Sequence, residues 1–244
     1  YINYSSSKAE VVGSYGLLYP MFVGGLVGYN EGGSICESHV WGDVSGVMDV
    51  GGLVGVNTST TFLTARMHGQ IIGSSASGKV VGSYNTGGLV GRNDDGIIES
   101  SSVLGSIEGE YNVGGLVGIH SGGCISASFS EGDVTGKNNV GGLVGSLNGG
   151  EVTDSYSLAK VAGDSDDSGA GKIGGLVGAM EDSDSTIEYS FAAGPVIGEK
   201  LVGGLVGYNE GSKIIDSYYD SETTGRSDRD NEWGIPKSTA EMMK

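Results

Sequence analysis

Proline, cysteine, histidine and basic residues are all scarce in this sequence, and each shortage closes off a class of protein. Three prolines exclude a collagen-type helix, which needs abundant proline and glycine at every third position. Two cysteines in 244 residues cannot build a disulfide-stapled scaffold. The three histidines, His39, His68 and His120, form no pair one helical turn apart with a glutamate, so the zinc-protease signature is missing. Thirteen Lys and Arg against thirty Asp and Glu give a net charge of −17. That charge repels phosphate backbones and anionic bilayer surfaces, so no nucleic-acid partner and no membrane insertion are expected. No apolar run reaches the roughly 18 residues that a membrane-spanning helix requires.

Glycine, in contrast, is abundant at 48 residues. Each glycine inside a helix costs about 1 kcal/mol relative to alanine, so a helical protein is excluded. Disorder is the other reading of a glycine-rich chain, but 37% of the residues are hydrophobic and recur at fixed intervals, enough to form a core.

The interval is a repeat. Gly-Gly-Leu-Val-Gly occurs seven times, beginning at Gly24, Gly51, Gly87, Gly114, Gly141, Gly174 and Gly203, in steps of 27, 36, 27, 27, 33 and 29 residues. A serine column follows: Ser38, Ser74, Ser101, Ser128, Ser155, Ser190 and Ser217. An aliphatic column comes next, Val44, Val80, Ile107, Val134, Val161 and Val196. Another precedes the pentapeptide, with Val50, Val113, Val140, Ile173 and Val202 and one exception at Thr86. In this frame the extra residues fall between Asn57 and Ser74, between Gly163 and Ile173, and between Gly178 and Ser190, as expected of surface loops on a solenoid. Ser5, Ala9, Val11 and Gly13 fit the second half of an eighth unit, so the register starts partway through a coil.

Apolar residues two apart, broken by glycine and polar turns, indicate short strands. One unit cannot bury its apolar face alone, so neighbours stack. The expectation is an all-β, parallel β-solenoid of about 7–8 coils of ~27 residues, each with three short strands. It spans residues 1–225, followed by a C-terminal cap or linker over 226–244 in which Ser238-Thr-Ala-Glu241 reads as a capping box. The seven leucines should form one core row. Asn30, Asn57, Asn93 and Asn209 share a position suited to an amide ladder, and His120 falls at that same position. Repeated glycines mark tight corners or positive φ. Cys36 and Cys124 lie three units apart, at least ~14 Å by strand spacing, too far for a disulfide.

Motifs that carry chemistry are weak. Gly73 to Val80 resembles a phosphate loop but has Val80 where Ser or Thr is required. Gly169 to Gly174 matches a dinucleotide fingerprint but opens no helix. Loop carboxylates suit calcium, which takes about six to eight oxygens; Asp164, Asp166, Asp167, Asp182 and Asp184 are the candidate ligands, with Asp228 and Asp230 a further cluster. No other cofactor is expected. Phe129, Tyr156, Phe191 and Tyr218 share one position beside the serine column and are the candidate ligand-binding residues.

The repeated Gly-Gly-Leu-Val-Gly, with Ser-Tyr before Gly-x-Val-x-Gly and an ending at Ser217-Tyr-Tyr-Asp-Ser-Glu-Thr-Thr-Gly225, resembles the GLUG-motif repeats. The likeness covers nearly the whole chain. It implies a β-solenoid in a secreted or surface-anchored microbial protein, adhesin-like or accompanying immunoglobulin A peptidases, where a separate part carries the protease. It brings no catalytic residues with it. The expected role is a non-enzymatic surface module, adhesin-like or a rigid stalk, whose partner is a glycan or a protein of a host or neighbouring cell. Two other readings stay open: a subunit that self-associates through its solenoid ends into a filament or layer, and a polysaccharide-active β-helix enzyme.

Overall fold

Each repeat closes one turn of a coil, and successive turns hydrogen-bond edge to edge in a parallel β-solenoid. The computed structural model describes residues 1–13, 21–163, 171–226 and 233–243. The leucine row is a single column. The main-chain N–H groups of Leu26, Leu53, Leu89, Leu116, Leu143 and Leu176 each donate to the carbonyl of the next leucine at 2.8–3.0 Å. From Leu53 to Leu205 these side chains are fully buried.

A coil has five short strands where the sequence spacing predicts three. In one uninterrupted unit they are Tyr84–Gly87, Val90–Asp94, Ile97–Glu99, Ser102–Val103 and Ile107–Glu108. The extra corners arise where single residues enter the left-handed region, Asp95 at φ 55° and Ser100 at φ 51°, and break a segment that reads as continuous. Among the described residues the strands stack into five parallel sheets of seven, seven, eight, nine and seven strands, in that order around the coil. The N-terminal Ile2–Asn3, Ser6–Ser7 and Val11–Val12 pair in register with Ile35–Cys36, His39–Val40 and Val44–Ser45. The insertion after Asn57 forms an antiparallel hairpin, Thr60–Phe62 against Ala65–Met67, tied to the next coil by an Arg66–Asp95 ion pair.

The core adds an aliphatic column absent from the sequence reading: Ile35, Ile71, Ile98, Ile125, Val152 and Ile187, each buried. Burying one such side chain contributes about 1.5–3 kcal/mol, and the column supplies it in every coil.

Serine is the residue of its column because a hydroxyl both accepts and donates. The Ser101 N–H donates to Oγ of Ser128 at 3.1 Å, and that hydroxyl donates to the carbonyl of Ser126 at 2.8 Å. The same pair of bonds recurs from Ser38 to Ser190, and Ser217 Oγ ends the series on the Ile215 carbonyl. Side chains thereby satisfy backbone donors at a corner where strand pairing lapses.

Two amide ladders run through the stack. Asn30 donates to Asn57 and Asn57 to Asn93, both at 2.7 Å, and Asn93 to His120. Leu147 and Met180 then take the position, and Asn209 instead closes its own turn on Gly211 and Ser212. The second ladder has opposite polarity. Asn139 donates to Asn112, Asn112 to Asn85, and Asn85 to the carboxylate of Asp49. All four residues have φ near 50°, which Asn and Asp tolerate better than most side chains. Burial pushes the Asp49 carboxyl above its usual range, while Asn85 and Arg92 act the other way.

The pentapeptide glycines serve space rather than positive φ. None adopts positive φ, and a Cβ on Gly141 would lie 1.9 Å from the Val144 carbonyl oxygen. Of the fifteen non-glycine left-handed residues described, seven are Asn or Asp.

At the C-terminal end Ile235–Lys237 adds a strand beyond Tyr218–Asp220. The helix Thr239–Met242 follows Ser238, whose N–H and hydroxyl both donate to Glu241. Burial opposes the Asp220 charge, but hydrogen bonds from Thr239, Thr223 and Glu222 hold its carboxyl below the usual range. Trp233 packs on the core and edge-on to Tyr208. No helix among the described residues is long and apolar enough to cross a membrane.

Candidate functional site

The nine-stranded sheet brings the four aromatic candidates together. Register pairs Phe129 with Tyr156, Tyr156 with Phe191, and Phe191 with Tyr218. In earlier coils the same position holds Ser6, His39, Ser75 and Ser102. Because parallel strands superpose equivalent residues, the rings stack: centroids are 5.0 Å apart for Phe129–Tyr156 and for Tyr156–Phe191, with interplanar angles of 2° and 5°. Near-parallel rings at this spacing cover one another's faces, so the interior of the stack presents edges, the electropositive part of a ring. Lys237 closes the far end, its Nζ 3.3 Å from the Tyr218 ring centroid. Exposed Leu104 and Leu158 follow the column position by two residues in their coils, just past the strands Ser102–Val103 and Tyr156–Ser157.

Two hollows border this column. One of about 490 Å³ is lined by Tyr189, Ser190, Phe191, Asp216 and Tyr218. The other, about 340 Å³, lies between Phe191, Tyr218 and the C-terminal segment, with Lys237, Thr239 and Met242 in its wall. Tyr189 escaped the sequence reading. It occupies a position held by Tyr4, Glu37, Gly73, Ser100, Ala127, Asp154 and Asp216 in other coils, and an aromatic in that mostly small or polar column was the available signal. A second stack, Tyr84–Tyr111 at 5.2 Å and 8°, lies on another sheet.

The remaining candidates are dispersed. Asp164, Asp166, Asp167, Asp228 and Asp230 lie outside the described residues. Asp182 accepts the Asp184 N–H at 3.1 Å, and its carbonyl accepts the Ser212 hydroxyl. Among the described residues no group of three His, Cys, Asp or Glu side chains is placed to hold a metal ion. Cys36 and Cys124 are unpaired, three strands apart in one sheet, and burial pushes the Cys124 thiol up. His39 bonds Ser75 in the serine-to-aromatic column, and His68 bonds the Asp95 carbonyl.

Residues 82–108 match the family model described as the GLUG motif. That stretch is one coil of an array whose neighbours repeat its Gly-Gly-Leu-Val-Gly and share its register, so the array is one of GLUG-type repeats. Among solved structures, a Bacteroides ovatus protein provisionally named an immunoglobulin A1 protease shares the fold. It superposes with a TM-score of 0.64 at 18% identity, over 96% of this chain and 67% of that one. No curated protein sequence matches the chain.

Proposed function

We propose that the chain is a non-enzymatic, extracellular surface module: a stiff rod that presents the Phe129–Tyr156–Phe191–Tyr218 column to a partner. The observation that carries this reading is the in-register ring stack, half-buried and flanked by exposed leucines, where other coils place serine or histidine. Ring edges favour oxygen-rich surfaces, and aromatic side chains supply contact area at small entropic cost. A glycan or glycoprotein fits that chemistry. The similarity to a Bacteroides ovatus protein provisionally named an immunoglobulin A1 protease supports a place outside the cell, as does the GLUG motif.

The test exploits the repeat itself. Phe129→Ser, Tyr156→Ser and Phe191→Ser each install the residue that Ser75 and Ser102 already place in this column, so the coil is retained. The wild-type chain should bind members of a panel of purified oligosaccharides and mucin-type glycoproteins, and the triple variant should lose that binding while keeping the β-sheet circular-dichroism spectrum and a cooperative unfolding transition. Equal binding by both proteins would remove the column from the function.

A further inference from the structure

From the serine rungs that adjoin the aromatic column we infer that the stack ends in a seat for a neutral pyranose ring, held on the open face of Phe129 at the level of Ser102. The inference rests on the contact-face reading and assigns a ligand class and a position to one end of that face.

Only one end of the stack is closed. At the C-terminal end the Lys237 ammonium covers Tyr218. Inside the stack Tyr156 has a ring on each face. Phe129 meets Tyr156 on one face, and its other face looks along the column toward Ser102, its partner in register. Among the described residues no second ring and no cation lies against that face. Phe129 and Ser102 are both half-buried, so solvent reaches the step between them.

Beyond Phe129 the column holds side chains too small to continue the stack. Ser102 and Ser75 take the next two rungs, and a ring returns only at His39. At ~4.8 Å per rung the strands of His39 and Phe129 lie about 14 Å apart. The rung of Ser102 therefore lacks one ring of the series. Its floor is polar. Among the described residues the Ser102 hydroxyl has no hydrogen-bond partner, and the Ser75 hydroxyl beside it bonds Nδ1 of His39 at 2.8 Å. Leu104, 56% exposed and just past the Ser102–Val103 strand, adds apolar surface nearby.

A pyranose matches each part. It is about as broad as a phenyl ring, and its axial C–H groups form an apolar face that packs on the negative face of an aromatic ring. Its hydroxyls project from the rim, where a serine hydroxyl both donates and accepts. An aromatic side chain from a partner would fill the same space but leave the Ser102 hydroxyl unpaired. The net charge of −17 repels uronic and sialic acids, which selects neutral sugars.

Calorimetric titration of the full chain with cellohexaose and, separately, with chitohexaose tests the seat, with a galacturonic acid hexamer and N-acetyl-tyrosine amide as the acidic and aromatic alternatives. The expected result is saturable binding of at least one neutral hexaose and weaker binding of both alternatives. Ser102→Phe installs the residue that Phe129 already places in this column, so it extends the stack and fills the seat; binding should fall at least tenfold while the β-sheet circular-dichroism spectrum persists. Should that variant fail to fold, Phe129→Leu keeps apolar bulk without a flat face and should weaken binding several-fold, as should Ser102→Ala. Tyr84→Ala, in the other stack, should leave it unchanged. No saturable binding of either neutral hexaose, or tighter binding of N-acetyl-tyrosine amide, would overturn the inference. Undiminished binding in folded Ser102→Phe together with loss in the triple serine variant would overturn it and leave the contact face standing. Undiminished binding in both variants would overturn both readings.

Discussion

Asn93 donates its side-chain amide to Nδ1 of His120 at 2.8 Å, so a titratable ring completes a ladder otherwise built of asparagine. An amide N–H can only donate, which makes Nδ1 the acceptor and leaves the proton on Nε2. A protonated ring would turn a second donor onto Asn93. Burial, the larger cause, lowers the His120 pKa from 6.5 to about 4, opposed by the Gly123 backbone.

A pH dependence of stability follows. Between about pH 6.5 and 4 the unfolded chain binds a proton at this ring that the folded chain refuses. Stability from this group is therefore complete above pH 6.5 and is lost as the pH falls toward 4, by about 3 kcal/mol over the window. Urea unfolding at a series of pH values measures it. His120→Asn restores an amide to the ladder and should flatten the profile over that window; a wild-type slope in this variant would show that other groups set the acid sensitivity.

The serine column predicts a local effect. Ser128→Ala removes the acceptor of the Ser101 N–H and the donor to the Ser126 carbonyl, both at a buried corner. The cost should be about 1–3 kcal/mol. Amide exchange should quicken at Ser101, one coil away, more than at the neighbouring Ser102 amide, which keeps its bond to the Ser74 carbonyl.

Gly141→Ala should be the most damaging of these substitutions. Its Cβ would sit 1.9 Å from the Val144 carbonyl oxygen and 2.6 Å from the Gly178 nitrogen, both main-chain atoms that hold the stack together. A loss of about 3 kcal/mol or more is expected. Ala193→Gly, at a half-buried position where no added atom meets the backbone, serves as the comparison. Melting temperatures suffice to rank them.

The columns that repeat one residue type were legible in the sequence. Leu26 through Leu205, the serines from Ser38 to Ser217, and the Val44 row all follow from fixed spacing, because parallel stacking turns a period into a contact. The amide ladder through Asn30, Asn57 and Asn93 was legible for the same reason. Five strands per coil were not, since the corners at Asp95 and Ser100 use left-handed residues that differ from coil to coil and leave no constant letter. The Asp49–Asn85–Asn112–Asn139 ladder was hidden among strand residues whose apolar neighbours dominate the pattern. At the candidate site the Phe129 column could be read, but Tyr189 and Lys237 reach it from other positions and only coordinates bring them there.

The serine bonds also give the rod a direction. Each corner N–H relies on a hydroxyl one coil nearer the C-terminus, whereas that hydroxyl needs nothing from the coil behind it to donate. Peeling a turn from the C-terminal side takes the hydroxyl acceptor from the serine-corner N–H of the turn that remains, whereas peeling from the N-terminal side leaves that corner bond intact and instead frees strand amides such as that of Ser102. Along this column the two ends of the stack are therefore chemically unequal: the last coil on one side presents a free hydroxyl and on the other a free amide.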